Sequence, residues 1–415
     1  MRLLASKKLP VIFLLITVAL DSIGIGIIMP VMPDLLLELG ATDLSQAATW
    51  GGVMAATFAV MQFLFGPTIG NLSDRFGRRP VLLVSLAALS VDYLIMGFAH
   101  SVWLLVIGRI IGGITSATQS TASAYMADIS SDEERAANFG LIGAAFGVGF
   151  ILGPLIGGLL GEFGSRAPFF AAAALAAANT IFGLFVLSET VTDEIRRPFS
   201  WARANPIGAF KHMGKLPGVR RLMVVFFFYN IAFFVYPSVW AYYTQERFGW
   251  DAGMVGISLA VFGASMAVVQ GGLIRVIIPK FGEHRTVVLG FSITVVAFLI
   301  YSLAFEGWHI FVLAPLTSLG VVAGPALQGI MSRTAHADQQ GELQGILSSI
   351  SAIGVIISPL LMTNIFSYFT RDGTPFYFPG APFILSMALV LLALLIFSSR
   401  KRLFTDGKVK IAPAE

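Results

Sequence analysis

GNLSDRFGRRPV, residues 70–81, sets one carboxylate and three guanidiniums, Asp74, Arg75, Arg78 and Arg79, between two long apolar runs at 49–70 and 80–99. Such a segment cannot rest in hydrocarbon, where a charged side chain at a helix centre costs about 2.5–3.5 kcal/mol on insertion scales. It is also too short to be a domain, so it reads as a loop returning the chain across a membrane. Apolar runs recur along the whole length, at 10–31, 49–70, 80–99, 102–126, 137–160, 166–187, 219–243, 253–277, 286–304, 308–331, 342–365 and 380–399. Each is long enough to cross a hydrocarbon core of roughly 30 Å at about 1.5 Å per residue. Of 415 residues, 56% are hydrophobic and 12% charged, against roughly 25% charged in an ordinary soluble domain. The sequence predicts an all-α integral membrane protein with twelve transmembrane helices.

The basic residues orient it. With a cytoplasmic N-terminus, 23 of the 27 lysines and arginines fall on that face, Arg109 lies inside a span, and only Arg166, Arg247 and Arg371 lie outside. Both termini are therefore expected in the cytoplasm of a multi-pass protein. Arg2, Lys7 and Lys8 precede a first run too long for a signal-peptide core, so it is read as a retained helix. The net charge of +4 follows from insertion and gives no reason to expect nucleic acid. Segment 189–218, with Arg196, Arg197, Arg203, Lys211 and Lys215, is the long internal connection; it lies against anionic headgroups or is simply solvated.

Sliding the sequence on itself by 205 residues brings Phe76-Gly77 onto Phe281-Gly282, Gly140 onto Gly345 and Pro154-Leu155 onto Pro359-Leu360. APFF at 167–170 meets APFI at 381–384, a larger offset that implies a longer loop around 366–380. In order, these matches argue for two pseudo-symmetric six-helix halves, 1–188 and 219–415 with its basic tail, joined by the 189–218 linker. Secondary transporters use such repeats to place a substrate site between the halves.

Three ionisable residues stand inside spans: Asp21, Asp92 and Arg109. Their cost in hydrocarbon predicts that they face a wet cavity or one another. Ser116, Ser120 and Ser123 continue a polar stripe beyond Arg109. An Asp–Arg pair that only fastens helices is the bland alternative to a proton carrier. Gly149, Gly153, Gly157 and Gly161 recur at every fourth position around Pro154 and Gly158, a spacing that lets helices approach closely in lipid. Amides inside spans, Gln62, Gln119, Asn230, Gln270 and Gln328, and the aromatic stretch 226–237 with Phe234 and Tyr236, suit an amphipathic aromatic ligand. Such amides serve equally as interhelical hydrogen-bonders. The 415 residues include no cysteine, which excludes disulfides and thiolate metal sites. No His/Glu grouping suggests a catalytic or metal centre, and the nearest approach to a phosphate loop, Gly208 to Gly214-Lys215-Leu216, lacks its Ser or Thr. No enzyme, cofactor or metal is expected.

The 70–81 loop resembles the signature loop of the major facilitator superfamily. The text LSDRFGRRPVLLVSLAALSVDYLIM resembles the tetracycline–proton antiporters of its drug-efflux branch, most densely over 15–160 and again at ERFGWDAGMVGISLA. The resemblance implies the major facilitator fold and a monomeric exporter of amphipathic drugs in a bacterial inner membrane, driven by proton exchange. It carries a cytoplasmic latch onto Gly70, Asp74, Arg75, Gly77, Arg78 and Arg79, with Asp128 and Arg135 as partners and the start of the eleventh helix, near Glu342, beside Asp74. GxxxGPxxGG, at Gly149, Gly153, Pro154, Gly157 and Gly158, resembles the antiporter motif. The second-half copy of the loop, RVIIPKFGEHRT at 275–286, has no aspartate and implies a weaker latch. Where tetracycline exporters carry a histidine in the eighth span and an aspartate in the ninth, this chain holds Met266 and Thr294, so a proton route is expected through the N-terminal half. A metabolite symporter or facilitator is the alternative reading, and a receptor that moves no solute a third.

Overall fold

The computed structural model describes residues 2–116, 118–194, 196–201, 204–205, 218–335 and 339–399. Arg203, Lys211, Lys215 and the Gly208–Gly214 stretch of the expected linker, and the basic tail from 400 onward, lie outside the described residues. Twelve helices among the described residues are long and apolar enough to cross a membrane: α1 (Leu9–Ile28), α2 (Leu44–Phe76), α3 (Arg78–Gly97), α4 (Val102–Ile129), α5 (Glu133–Gly161), α6 (Ala167–Val186), α7 (Arg220–Phe248), α8 (Ala252–Phe281), α9 (Glu283–Leu303), α10 (Trp308–Thr334), α11 (Gln340–Thr370) and α12 (Ala381–Ser398). Several exceed the apolar runs because capping side chains extend them into polar surroundings. The Asp43 carboxylate accepts from Gln46 N at 2.7 Å before α2, and that of Asp251 from Met254 N at 2.8 Å before α8.

The charged loop is smaller than the sequence suggested. α2 stays helical through Phe76 and α3 begins at Arg78, so Gly77 alone makes the turn, with φ 113°. Only glycine takes that backbone without strain. Gly282, 205 residues on, turns α8 into α9 with φ 74° and almost the same ψ, 158° against 153°. Other spans are broken instead. α4 divides at Ser116 into Val102–Thr115 and Thr118–Ile129. There Ser116 Oγ donates to Gly113 O at 2.9 Å and Thr115 Oγ1 to Ile111 O at 2.9 Å, local bonds that compete with the helical ladder. The expected continuous stripe from Arg109 to Ser123 is therefore bent. α7 breaks at Phe234, α8 holds a π-turn at Val269–Leu273, and α10 a 3-10 turn at Ser318–Val322.

Within the first half α1 packs on α5, α3 on α6 and α2 on α4; within the second, α12 packs on both α7 and α9. The halves meet through α2 on α11 and α5 on α8. Gly149, Gly153 and Gly157 set α5 backbone against backbone on α1 at Ala19, Ile23 and Ile27. Gly158 faces the other way, where a Cβ would lie 2.5 Å from Ala252 O and 3.1 Å from Gly256 Cα on α8. Gly161 touches both neighbours, Val31 and Ala252. The glycines at every fourth position thus share the face toward α1, and Gly158 adds a second seam with α8.

Among the described residues, close contacts between the halves lie toward the end away from the linker, here the distal face. There Ser45 Oγ and Ser367 Oγ lie 2.8 Å apart, and a Cβ on Gly52 would meet Pro359 O at 3.0 Å. Five helical turns further along the same face of α2, a Cβ on Gly70 would meet nothing within 4 Å, and Gly345, five turns from Thr363 on α11, is equally open. Gly143 and Gly147, on the stripe of α5 whose distal part packs on α8, also face open space. The halves are closed distally and splayed at the linker face. Gly256→Leu should wedge α5 from α8 and destabilise this arrangement by about 1–3 kcal/mol. A thiol at Ser45→Cys, reporting on the distal seam, should then label faster.

Candidate functional site

At the linker face, Arg78 Nη1 donates to Asp74 Oδ1 at 2.6 Å and Arg78 Nε to Asp128 Oδ2 at 3.2 Å. Arg75 lies over the Phe76 ring at 5.1 Å, Arg79 Nη2 donates to Leu184 O at 2.9 Å, and Arg135 stands in the first turns of α5. The sequence reading missed Glu189. Its two carboxylate oxygens accept from Arg78 N at 2.9 Å and Arg79 N at 3.3 Å, capping α3 where helix N–H groups are free and the dipole favours an anion. A Cβ at Gly77 would strike this carboxylate. Glu189 is 111 residues from Arg78, so no local pattern could reveal the contact. The chain around it follows: Tyr125 OH donates to Ser188 O at 2.6 Å, Thr190 Oγ1 to Asp128 Oδ2 at 2.9 Å, and Asn71 Nδ2 to Ser200 O at 2.6 Å. The start of the linker therefore packs on the charged turn between α2 and α3. The second-half copy is no mere remnant. Although it has no aspartate, Glu283 at the start of α9 pairs with Arg333 near the end of α10.

Inside the first half, Arg109 Nη2 donates to Asp92 Oδ2 at 2.7 Å, and the aspartate side chain is wholly buried. Glycines make the room, since a Cβ on Gly108 would lie 2.9 Å from Asp92 Oδ1 and one on Gly112 2.5 Å from Oδ2. The guanidinium also lies 5.2 Å over the Phe58 ring, a cation–π contact. Asp92 Oδ1 and Arg109 Nε have no partner. Asp21 does not join them. It lines a separate pocket of about 10 Å³ between α1, α3 and α6, with Tyr93 and Asn179, close to the room one water needs. Asn179 Nδ2 donates to Thr17 Oγ1 at 2.9 Å. Asp21 has no ion pair or hydrogen bond among the described residues.

On the linker side lies a polar hollow of about 580 Å³, lined by Gln62, Gly66, Pro67 and Gly70 of α2 and by Ser116, Gln119, Ser120 and Ser123 of α4. Gln62 Nε2 reaches Ser116 O at 3.4 Å, across the break in α4. The helix break thus turns amide and hydroxyl groups toward the splayed cleft. At the distal face Gln245 Nε2 donates to Asp34 Oδ1 at 3.3 Å, tying α7 to the segment between α1 and α2.

A family description, Major Facilitator Superfamily, matches residues 14–359. The chain belongs to this superfamily. It is 41% identical over 356 residues to the tetracycline resistance protein, class C, of Escherichia coli, covering 86% of this chain and 89% of that one. It is 40% identical over 359 residues to the class B protein of Escherichia coli, covering 85% and 88%. The crystal structure of a bacterial homologue of the human lysosomal transporter Spinster superposes with a TM-score of 0.73 at 16% identity, over 94% of this chain and 96% of that one, and shares the fold.

As a major facilitator protein the chain places other expected contacts away from the hollow. Tyr236 is buried among Phe233, Trp240, Phe262, Phe298, Tyr301 and Phe383, because aromatic rings at helical spacing pack on one another before they pack on a ligand. Asn230 is engaged between helices, donating to Phe226 O at 2.9 Å and accepting from Ser351 Oγ at 3.3 Å. Phe234 sits at the break in α7, and Gln328 is exposed on α10. Thr294 is buried against the 3-10 turn of α10 at Gly320.

Glu189→Gln, which removes the anion capping α3, should lower stability by about 0.5–2 kcal/mol, read as a lower melting temperature in detergent. Burial pushes the Asp34 carboxyl up from the ordinary range; the Gln245 bond pulls it back, and the nearby Glu38 and Asp251 charges push it up further. A raised value means that the distally closed state binds its proton more tightly than a state in which Asp34 is exposed. Closure should therefore strengthen as pH falls toward and through this raised value, and weaken above it. Labelling of Ser45→Cys should slow over that window, and Asp34→Asn should flatten the dependence.

Proposed function

We propose that the chain exports amphipathic drugs of the tetracycline class from a bacterial cytoplasm in exchange for protons, by alternating access across the inner membrane. The names of its relatives support the substrate class. The polar hollow in a cleft open at one face supports alternating access. Both termini and the 189–218 linker lie in the cytoplasm in this reading, so the conformation described is open inward. The units are 1–188, the linker 189–218 and 219–415, and the transporter acts as a monomer, its latch, hollow and seams all lying within one chain. The drug enters through the hollow at Gln62, Gln119 and the α4 serines.

The observation that carries proton exchange is the different fate of two carboxylates. Asp92 is held by Arg109 between glycines, an arrangement suited to fixing α3 on α4. Asp21 has no counter-ion, in a pocket with room for one water. A carboxylate bonded permanently to a guanidinium keeps its charge through a cycle, whereas one without a partner changes it as its surroundings alternate between dry and wet. Asp21 is accordingly the proton carrier, loaded from outside and released inside. Asp92 and Arg109 hold the helices that shape its pocket.

The test is uphill transport of tetracycline in proteoliposomes under an imposed pH gradient. Asp21→Asn should abolish pH-driven export while the protein still folds and exchanges drug downhill. Asp92→Asn should instead lower stability by about 3–5 kcal/mol, because it leaves Arg109 buried without a partner. Uphill export by the Asp21→Asn protein at the parent rate would overturn the assignment.

A further inference from the structure

Asp21 shares one face of α1 with Thr17 and Gly24, one turn before it and one turn after. Two neighbouring helices meet this face on either side of the carboxylate. On the linker side, Asn179 of α6 donates through Nδ2 to Thr17 Oγ1 at 2.9 Å. On the distal side the Tyr93 hydroxyl of α3 rests on Gly24, where any Cβ would strike it. Asp21, Tyr93 and Asn179 line one pocket, whose remaining walls are leucine, isoleucine, alanine and glycine. Asn179 is 3% exposed, and its Oδ1 has no hydrogen-bond partner. A buried acceptor without a donor is costly, and here it borders an acid that also has no partner.

We propose that Asn179 is a positioning residue for the transported proton: its Oδ1 accepts a hydrogen bond from the Asp21 carboxyl when that carboxyl is protonated, and ties α1 to α6 in that state alone. The inference rests on the reading of Asp21 as the proton carrier. An ionised carboxylate and an amide oxygen are both acceptors and have no proton to share. Uptake of a proton from water at one face forms an O–H bond on Asp21 and turns it into a donor. Release breaks that O–H bond and returns the proton to water at the other face. The Tyr93 hydroxyl both donates and accepts, so it suits either state, whereas the amide, its Nδ2 engaged by Thr17, offers only oxygen. No other group near α1 discriminates in this way. α5 carries no titratable side chain from 137 to 161, and α6 none from 167 to 186. On α3, Asp92 is bonded to Arg109 of α4. The segment of α4 that packs on α1 carries Tyr125 and Asp128, which are bonded at the linker face to Ser188 and Arg78.

Infrared difference spectra of the protein in liposomes, taken between acid and alkaline buffer, report a protonated buried carboxyl through its C=O band. Asp21→Asn identifies the band of Asp21 by removing it. This readout needs no drug and no transport. Asn179→Leu, of similar volume, should make Asp21 bind its proton about three- to tenfold more weakly, moving the midpoint of the band about 0.5–1 pH unit toward acid. Thr17→Val removes the other bond of the same amide and should leave the midpoint in place, which tells an effect on the proton from mere fastening of α1 to α6. A midpoint unmoved by Asn179→Leu, or moved equally by Thr17→Val, would overturn the proposal and leave Asp21 the carrier. A parent spectrum without a band that Asp21→Asn removes would overturn both readings. Should Asn179→Leu not fold, Thr17→Val combined with Asn179→Leu replaces both bonded partners by apolar groups, and the same shift is expected of it, its absence being equally decisive.

Discussion

The cost of an unpartnered polar group in hydrocarbon governs this molecule. It confines the backbone to helices, because a helix satisfies its own N–H and C=O groups. It also sends almost every charge to the two faces, and it explains why the Asp92–Arg109 pair is so closely fitted. With glycine at 108 and 112 the carboxylate can lie directly against α4, within 2.7 Å of the guanidinium. Asp21 is the exception, a carboxylate inside a span with no counter-ion among the described residues.

Lipid tails are as apolar as leucine, so burial alone cannot tell helices which neighbours to choose, and close backbone packing decides instead. α5 shows how. Gly149, Gly153 and Gly157 bind it to α1 inside the first half, while Gly158 meets Gly256 of α8 across the seam. The first joins two helices of one half, and the second joins the two halves. The second runs out where Gly143 and Gly147 face open space, and that boundary between packed and unpacked glycine marks how far the halves have rocked apart.

The linker-face turns link this rocking to charge. Gly77 places Arg78 where it can bind Asp74, Asp128 and, through its backbone, Glu189. Because Glu189 begins the linker, the covalent connection between the halves is fastened to the latch. Asp74, Arg78, Asp128 and the start of the linker thus form one cluster of contacts at this face.

Much of this was written in the sequence. Length and hydropathy determined twelve spans, and the 205-residue offset argued for two halves. Asp74 and Arg78 stood out because charges between two apolar runs have only one place to go. The pair Glu283–Arg333 was also legible, since its spacing of 50 residues matches that of Arg78 and Asp128, with the charges reversed. What only the tertiary structure decided is which polar groups meet. The sequence gives the depth of Asp21 and Asp92 along their helices, yet their rotation toward Asn179 or Arg109 depends on where α6 and α4 pack, and glycines 149–157 and 108–112 set that packing from distant parts of the chain. The capping of α3 by Glu189, the break of α4 at Ser116 and the withdrawal of Tyr236 into its aromatic cluster have the same origin. Each is a choice among chemically adequate partners, and in a membrane close packing makes that choice.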